Sequence, residues 1–255
     1  MQLHYHSYGQ GEPLVILHGL FGSHENWHSL SREFGANYTV IAVDLRNHGR
    51  SPHLPDMSYR DMAGDVAETL DAQGLKEVYL LGHSMGGKTA MQFSILFPGR
   101  VKRLLIADIA PKAYPPGHGE ILEALWNLDL AGYSTRHQMV EALAPTIPEL
   151  AVRQFLLKNV EHRPGGAFQW RMNLTAIREN YEQLIGGLNP AGSFAGPALF
   201  LRGGKSDYVT DRDLSLIRES FPQATIQTIE TAGHWLHAEA PAEFVKIVMG
   251  FLQKP

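Results

Sequence analysis

The chain contains no cysteine. That one absence removes disulfides, thiolate metal sites and a cysteine nucleophile together, and it fits a protein that stays in the cytoplasm. Excess basic charge is missing too: 22 Lys and Arg against 26 Asp and Glu leave a net charge of -4, without a basic block, so nucleic acid is not an expected partner. No apolar run approaches the roughly 18 residues of a membrane span, and Met1-Gln2-Leu3-His4-Tyr5-His6 lacks the charged and apolar regions of a secretory leader. The expectation is a soluble, cytoplasmic chain with no membrane partner. What is present, 255 residues with 44% hydrophobic and 19% charged, suffices for one large core or for a core carrying a modest insertion.

Leu14-Val15-Ile16-Leu17 and Tyr38 to Asp44 are apolar runs of the fully buried kind, Val78 to Leu81, Val101 to Ile106 and Pro197 to Arg202 are further apolar strands, Ala224 to Ile229 is the last strand, and residues 3 to 8 give a weaker one. Helical patterns separate them. Ser58 and Asp61 form a capping box ahead of Met62, Val66 and Leu70, which share one face. Thr210 and Asp213 precede Leu214, Ile217 and Phe221 in the same way, and Pro241 starts a closing helix with Phe244, Val248 and Phe251. Strand and helix alternate over short links, which predicts an α/β fold with a mostly parallel sheet covered on both faces.

The alternation breaks once. Residues 112–195 show no buried strand, but they do show helical spacing at Ile121, Leu122 and Leu125, at Met139 and Leu143, and at Phe155 and Leu156. Prolines 115, 116, 145, 148 and 164 divide this stretch into short helices. It reads as an insertion into a core made of residues 1–111 and 196–255, not as an independent domain.

Two chemical motifs coincide at Gly82-His83-Ser84-Met85-Gly86-Gly87-Lys88-Thr89. One is G-x-S-x-G, a strand-to-helix turn that presents a nucleophilic serine. The other is G-x-x-x-x-G-K-T, a phosphate-cradling loop in which Lys88 would contact phosphates and Thr89 would hold magnesium, with Asp108 as a second metal-holding residue. The remaining strand ends decide between them. Serine activation needs a histidine, an acid to orient it, and N–H donors for the oxyanion. His18-Gly19-Leu20-Phe21-Gly22, Asp108 or Asp207, and Gly233-His234 each follow an apolar strand and supply those parts, whereas a nucleotide-binding protein leaves them unexplained.

These segments, together with Asp44-Leu45-Arg46-Asn47-His48-Gly49 and Asp108-Ile109-Ala110-Pro111, resemble the α/β-hydrolases over nearly the whole chain, and within them the small bacterial esterases of the YbfF type. The resemblance implies a Ser84-His234-Asp108 triad, an oxyanion hole from the Leu20 and Met85 N–H groups, and a helical cap formed by the insertion. Chain order admits both Asp108 and Asp207 as the acid; many α/β-hydrolases carry it after the strand corresponding to Leu199 to Arg202, which favours Asp207, whereas the resemblance to the YbfF type favours Asp108. His18, Phe21, His83 and Trp235 are candidate substrate contacts, with His18 also bracing its own loop and His83 packing beside the nucleophile.

The expected reaction is hydrolysis of carboxylic esters of small to medium acyl chains, with an acyl-CoA thioester as the rival substrate. A hydrolase-fold ligand sensor and the nucleotide-binding protein are the rivals from other classes. No cofactor or metal is expected: His4 with His6, and His234 with His237, have metal-compatible spacing but no third ligand near them in sequence. The other partner expected is a second copy at most, as a monomer or small homo-oligomer. Trp126, Tyr133, Phe155, Phe168, Trp170 and Tyr181 belong to the insertion, mostly to its own core, with one or two facing an acyl pocket.

Overall fold

The computed structural model describes residues 1–163, 165–188 and 192–253. Pro164, residues 189–191 and residues 254–255 lie outside the described residues. The strands are β1 (Tyr5–Tyr8), β2 (Glu12–Leu17), β3 (Tyr38–Val43), β4 (Val78–His83), β5 (Val101–Ala107), β6 (Val160–His162), β7 (Phe168–Trp170), β8 (Ala198–Gly203) and β9 (Ala224–Ile229). Seven of them make one sheet in the order β1-β3-β2-β4-β5-β8-β9. β1 runs antiparallel on the edge, and every other neighbouring pair is parallel.

The apolar runs alternate between two helical layers, as the pleat of a strand requires. In β2, Val15 and Leu17 face one layer while Leu14 and Ile16 face the other, and all four are fully buried. The first layer includes α2 (Tyr59–Ala72), α3 (Met85–Leu96) and α9 (Leu214–Ser220); the second holds α1 (His28–Phe34), α10 (Leu236–Glu239) and α11 (Pro241–Leu252). Helix α2 starts where Ser58 Oγ accepts from the Asp61 N–H at 3.1 Å, and it buries Met62, Val66 and Leu70. Each such side chain contributes about 1.5–3 kcal/mol by leaving water.

The insertion occupies the interval between β5 and β8. It contains α4 (Gly119–Trp126), α5 (Arg136–Ala142), α6 (Leu150–Leu157), α7 (Leu174–Glu179) and α8 (Tyr181–Ile185). It also contains an antiparallel hairpin, β6 with β7, which the sequence pattern does not announce. Three residues per strand are too few for a period of two to stand out. Leu122, Leu156 and Ile177 join the same buried cluster as α2 and α3, so the segment shares its apolar core with the sheet. Polar bonds tie it down as well: Tyr59 Oη donates to Leu184 O at 2.6 Å and Asn173 N donates to Asn47 O at 2.8 Å.

The link from β4 to α3 is tightly packed. A Cβ at Gly86 would stand 2.3 Å from Leu17 O, and one at Gly82 would stand 2.2 Å from Gly86 O, so each opposing atom is unyielding backbone. Gly86→Ala is therefore expected to cost about 1–3 kcal/mol of stability or more. Urea denaturation checks this, and an unchanged midpoint would contradict the packing argument.

Candidate active site

Ser84 sits between β4 and α3 with φ 53° and ψ -119°, a conformation that a non-glycine residue adopts only when its surroundings hold it there. Gly82 and Gly86 allow the close approach, and α3 begins at the next residue, Met85. The Met85 N–H is thus a free first-turn donor of a helix. On the facing loop, Gly22 N donates to Gly19 O at 3.0 Å and curls residues 19–22, and a Cβ on Gly19 would lie 3.2 Å from the Ser84 Cβ. Among the described residues neither the Leu20 N–H nor the Met85 N–H has a hydrogen-bond acceptor.

Two histidines fix that loop. His18 Nδ1 donates to Gly19 O at 2.8 Å while its Nε2 accepts from the Leu45 N–H at 3.0 Å. His48 Nδ1 donates to Arg46 O at 3.0 Å and its Nε2 accepts from the Phe21 N–H at 3.2 Å. Carbonyl acceptors at Nδ1 dictate the tautomer of both rings. Burial lowers both pKa values, that of His48 to about 3, so each ring stays neutral. Both nitrogens of His18 are therefore taken by the backbone.

Beneath Ser84, Asp108 follows β5 with φ 49° and is completely buried. Its Oδ1 accepts from the Gly203 N–H at 2.9 Å, and its Oδ2 accepts from His234 Nδ1 at 2.8 Å and from the Ser206 hydroxyl. The His234 ring stacks on Tyr208 with centroids 3.8 Å apart, and His83 Nε2 donates to the His234 carbonyl at 2.9 Å. Burial holds His83 well below the usual histidine pKa and pushes His237 down to about 3, with neighbouring histidines adding to both. Of the three clustered imidazoles, His234 is the one bonded to a carboxylate. Asp207 is exposed at the rim and has no bond to His234 among the described residues.

Ser84 and His234 line a common cavity, although no hydrogen bond joins them among the described residues; such contacts are often loose before substrate binds. That cavity, about 70 Å³, also takes in His18, Leu20, Phe21, His83 and Trp235. A second cavity of about 280 Å³ also reaches Ser84, and its lining includes Met85, Ile109, Leu184 and Ile185 together with Lys88 and Asp207. Sequence reasoning passes over Ser206, Tyr208, Tyr114 and His118, each placed here by a turn with no periodic signal. Of the insertion aromatics, Phe155 lines the smaller cavity, and Trp126 is 45% exposed with the Arg178 guanidinium 4.6 Å from its ring centre.

Lys88 and Thr89, the phosphate-loop residues of the rival motif, are buried in α3. Lys88 Nζ donates to Gly186 O at 2.6 Å and lies 4.8 Å from the Tyr114 ring centre, and burial pushes its pKa down to about 8. Thr89 Oγ1 donates to Met85 O at 3.0 Å. Both are committed to internal acceptors.

The fold brings His24 and Asp44 to His4, a grouping that sequence separation hides. Their ligand atoms lie within 4.8 Å of one another, the one such metal-compatible trio among the described residues. Hydrogen bonds already complete it: Asp44 accepts from His4 Nδ1 at 2.9 Å, His24 Nδ1 at 2.9 Å, the His24 N–H at 2.7 Å and the Arg50 N–H at 2.9 Å. Burial would raise the Asp44 pKa, but these donors, His24 foremost, hold it well below the carboxylate range. A lowered folded-state pKa gives stability that is complete above about pH 4 and is lost as pH falls through the folded value. Asp44→Asn is expected to be less stable near pH 7, with the gap to the wild type narrowing below about pH 4. Thermal midpoints across that range check the sign, and a constant gap would contradict it.

A parallel sheet covered on both faces, with a strained serine after its central strand, defines a hydrolase-like α/β protein. The alpha/beta hydrolase family model matches residues 14–247, and the chain belongs to that family. It is 40% identical over 247 residues to the sn-1-specific diacylglycerol lipase ABHD11 of Mus musculus, covering 94% of this chain and 80% of the relative. It is 37% identical over 241 residues to esterase YbfF of Escherichia coli, covering 94% and 92%. Among solved structures, a marine microorganism esterase superposes with a TM-score of 0.96 at 43% identity, covering 98% of this chain and 99% of the other. No helix among the described residues is long and apolar enough to cross a membrane.

Proposed function

We propose that this chain is a carboxylic ester hydrolase acting through a serine nucleophile and an acyl-enzyme. Ser84 attacks the ester carbonyl, and His234 takes the hydroxyl proton and returns it to the departing alcohol. Asp108 orients His234 and offsets its charge, and the Leu20 and Met85 N–H groups hold the oxyanion. Water then releases the acyl group by the same route. The observation that carries this reading is the 2.8 Å bond from His234 Nδ1 to a fully buried carboxylate, beside a strained serine that lines the same cavity.

The larger cavity, about 280 Å³ and lined mainly by apolar side chains, suits an acyl chain of small to medium length. The naming of relatives as esterase and lipase supports an ester over other acyl compounds. Residues 112–195 act as the cap: His118, Ile121, Val152 and Phe155 border the smaller cavity with Ser84, and closure there would exclude water. The test is a chain-length series of p-nitrophenyl esters beside the matching acyl-CoA thioesters. Steady multiple turnover that peaks on short or medium esters is expected. Turnover confined to the thioesters would reassign the substrate, and a single slow turnover with retained product would point to a sensor.

A further inference from the structure

The two cavities meet at Ser84, and three residues border both: Leu20, Ser84 and His118. A substrate with its acyl group in one cavity and its alcohol in the other places the scissile bond at that junction. The first two residues have roles in the proposed reaction. His118, from the insertion, just ahead of α4, has none.

Its hydrogen-bonding state follows from its neighbour. The Tyr181 hydroxyl accepts from the Gly117 N–H at 3.1 Å and from the His118 N–H at 2.9 Å. A phenol oxygen has two lone pairs and one proton, so both acceptor positions are filled and the proton is left to donate. The third neighbour of that oxygen is His118 Nδ1 at 3.1 Å, which must be the acceptor. The ring proton is then on Nε2, on the side away from Tyr181. The edge of the ring against Phe21, centroids 6.2 Å apart at 69°, adds a second constraint on its orientation. Burial foremost, and the nearby His234, lower the His118 pKa and favour the neutral ring.

We infer that His118 is a substrate-contacting residue: its Nε2–H donates a hydrogen bond to an ester oxygen at the junction, and Tyr181 is the positioning residue that fixes the tautomer. The inference rests on the serine esterase reading. It makes His118 a donor supplied by the cap, so that a donor needed for turnover comes from outside the sheet. Its purely structural rival is an aromatic ring that only fills space between Phe21 and Tyr181.

The experiment compares wild type, His118→Phe, His118→Gln and Tyr181→Phe on p-nitrophenyl butyrate, with thermal midpoints measured on each. Phenylalanine keeps the ring and loses the donor, whereas glutamine can place an amide N–H near the Nε2 position. The inference expects His118→Phe to lose about 10- to 100-fold in kcat/KM, carried mainly by kcat. Glutamine should recover at least about a third of the lost logarithm, and Tyr181→Phe should fall several-fold as the proton shifts between the two nitrogens. A folded His118→Phe within about threefold of wild type, or glutamine no better than phenylalanine, would overturn the inference while the wild-type activity keeps the esterase reading intact. If His118→Phe does not fold, the Tyr181→Phe loss and the glutamine activity decide in the same directions. A wild type that hydrolyses no ester overturns both.

Discussion

Ser84→Ala is expected to lower kcat on a short-chain p-nitrophenyl ester by about 10⁴- to 10⁶-fold, with stability within about 1 kcal/mol of wild type. The size of the kinetic loss follows from chemistry. The proposed route runs through one covalent bond to Oγ, and among the described residues no other serine or threonine lines either cavity. The small stability effect follows from geometry: Ser84 Oγ makes no hydrogen bond among the described residues, so its removal breaks none. Gly82 and Gly86 set the elbow's conformation, and alanine keeps the Cβ that the site already accommodates. A variant retaining more than about one-hundredth of wild-type activity would rule out Ser84 as the nucleophile.

Asp108→Asn should produce a loss of about 10⁴-fold, and Asp207→Asn one of no more than about threefold. Three donors converge on the Asp108 carboxylate, from Gly203, His234 and Ser206. An amide offers one oxygen and one NH₂ to that set, so a donor must face a donor whichever way it turns. The relief open to His234 is to move its proton from Nδ1 to Nε2, where it can no longer accept the serine proton. Asp207 carries no such duty: it is exposed and unbonded to His234 among the described residues. Steady-state kinetics on the two folded variants gives the ranking, and the reverse order would transfer the acid role to Asp207.

The sheet was the most legible part of the chain. Strands buried on both faces of a parallel sheet read as uninterrupted apolar runs, as at Leu14–Leu17 and Val78–Leu81, and the half-exposed edge strand Ala224–Ile229 still matches residue for residue. Helices with a cap and one apolar face were equally plain. Helix α1 was not, because between Trp27 and Phe34 only Leu30 marks its buried face among polar residues. Hairpin β6–β7 was hidden by its brevity.

The candidate site divides along the same physical line. Ser84, Leu20, Met85, Asp108 and His234 stand at strand ends, where local sequence already carries the turn, and the structure gathers them. Ser206, His118 and Tyr181 contribute through contacts made across 60 or more residues, such as the 63 that separate His118 from Tyr181, and Tyr208 through its stacking on His234 from a different loop. Nothing in a local window reports such a contact. The same is true of His4 with Asp44, 40 residues apart: the sequence pairs His4 with His6, and the fold instead gathers His4 with His24 and Asp44 and leaves His6 out of that group.

The most direct measurement is covalent labelling of the purified protein by a fluorophosphonate, read by intact mass, for the wild type beside Ser84→Ala. An activated serine attacks phosphorus without regard to the natural acyl chain, so the result does not depend on guessing the substrate. The account predicts one adduct per wild-type chain and none on Ser84→Ala. A folded wild type that stays unlabelled, or a Ser84→Ala that labels equally, would contradict it.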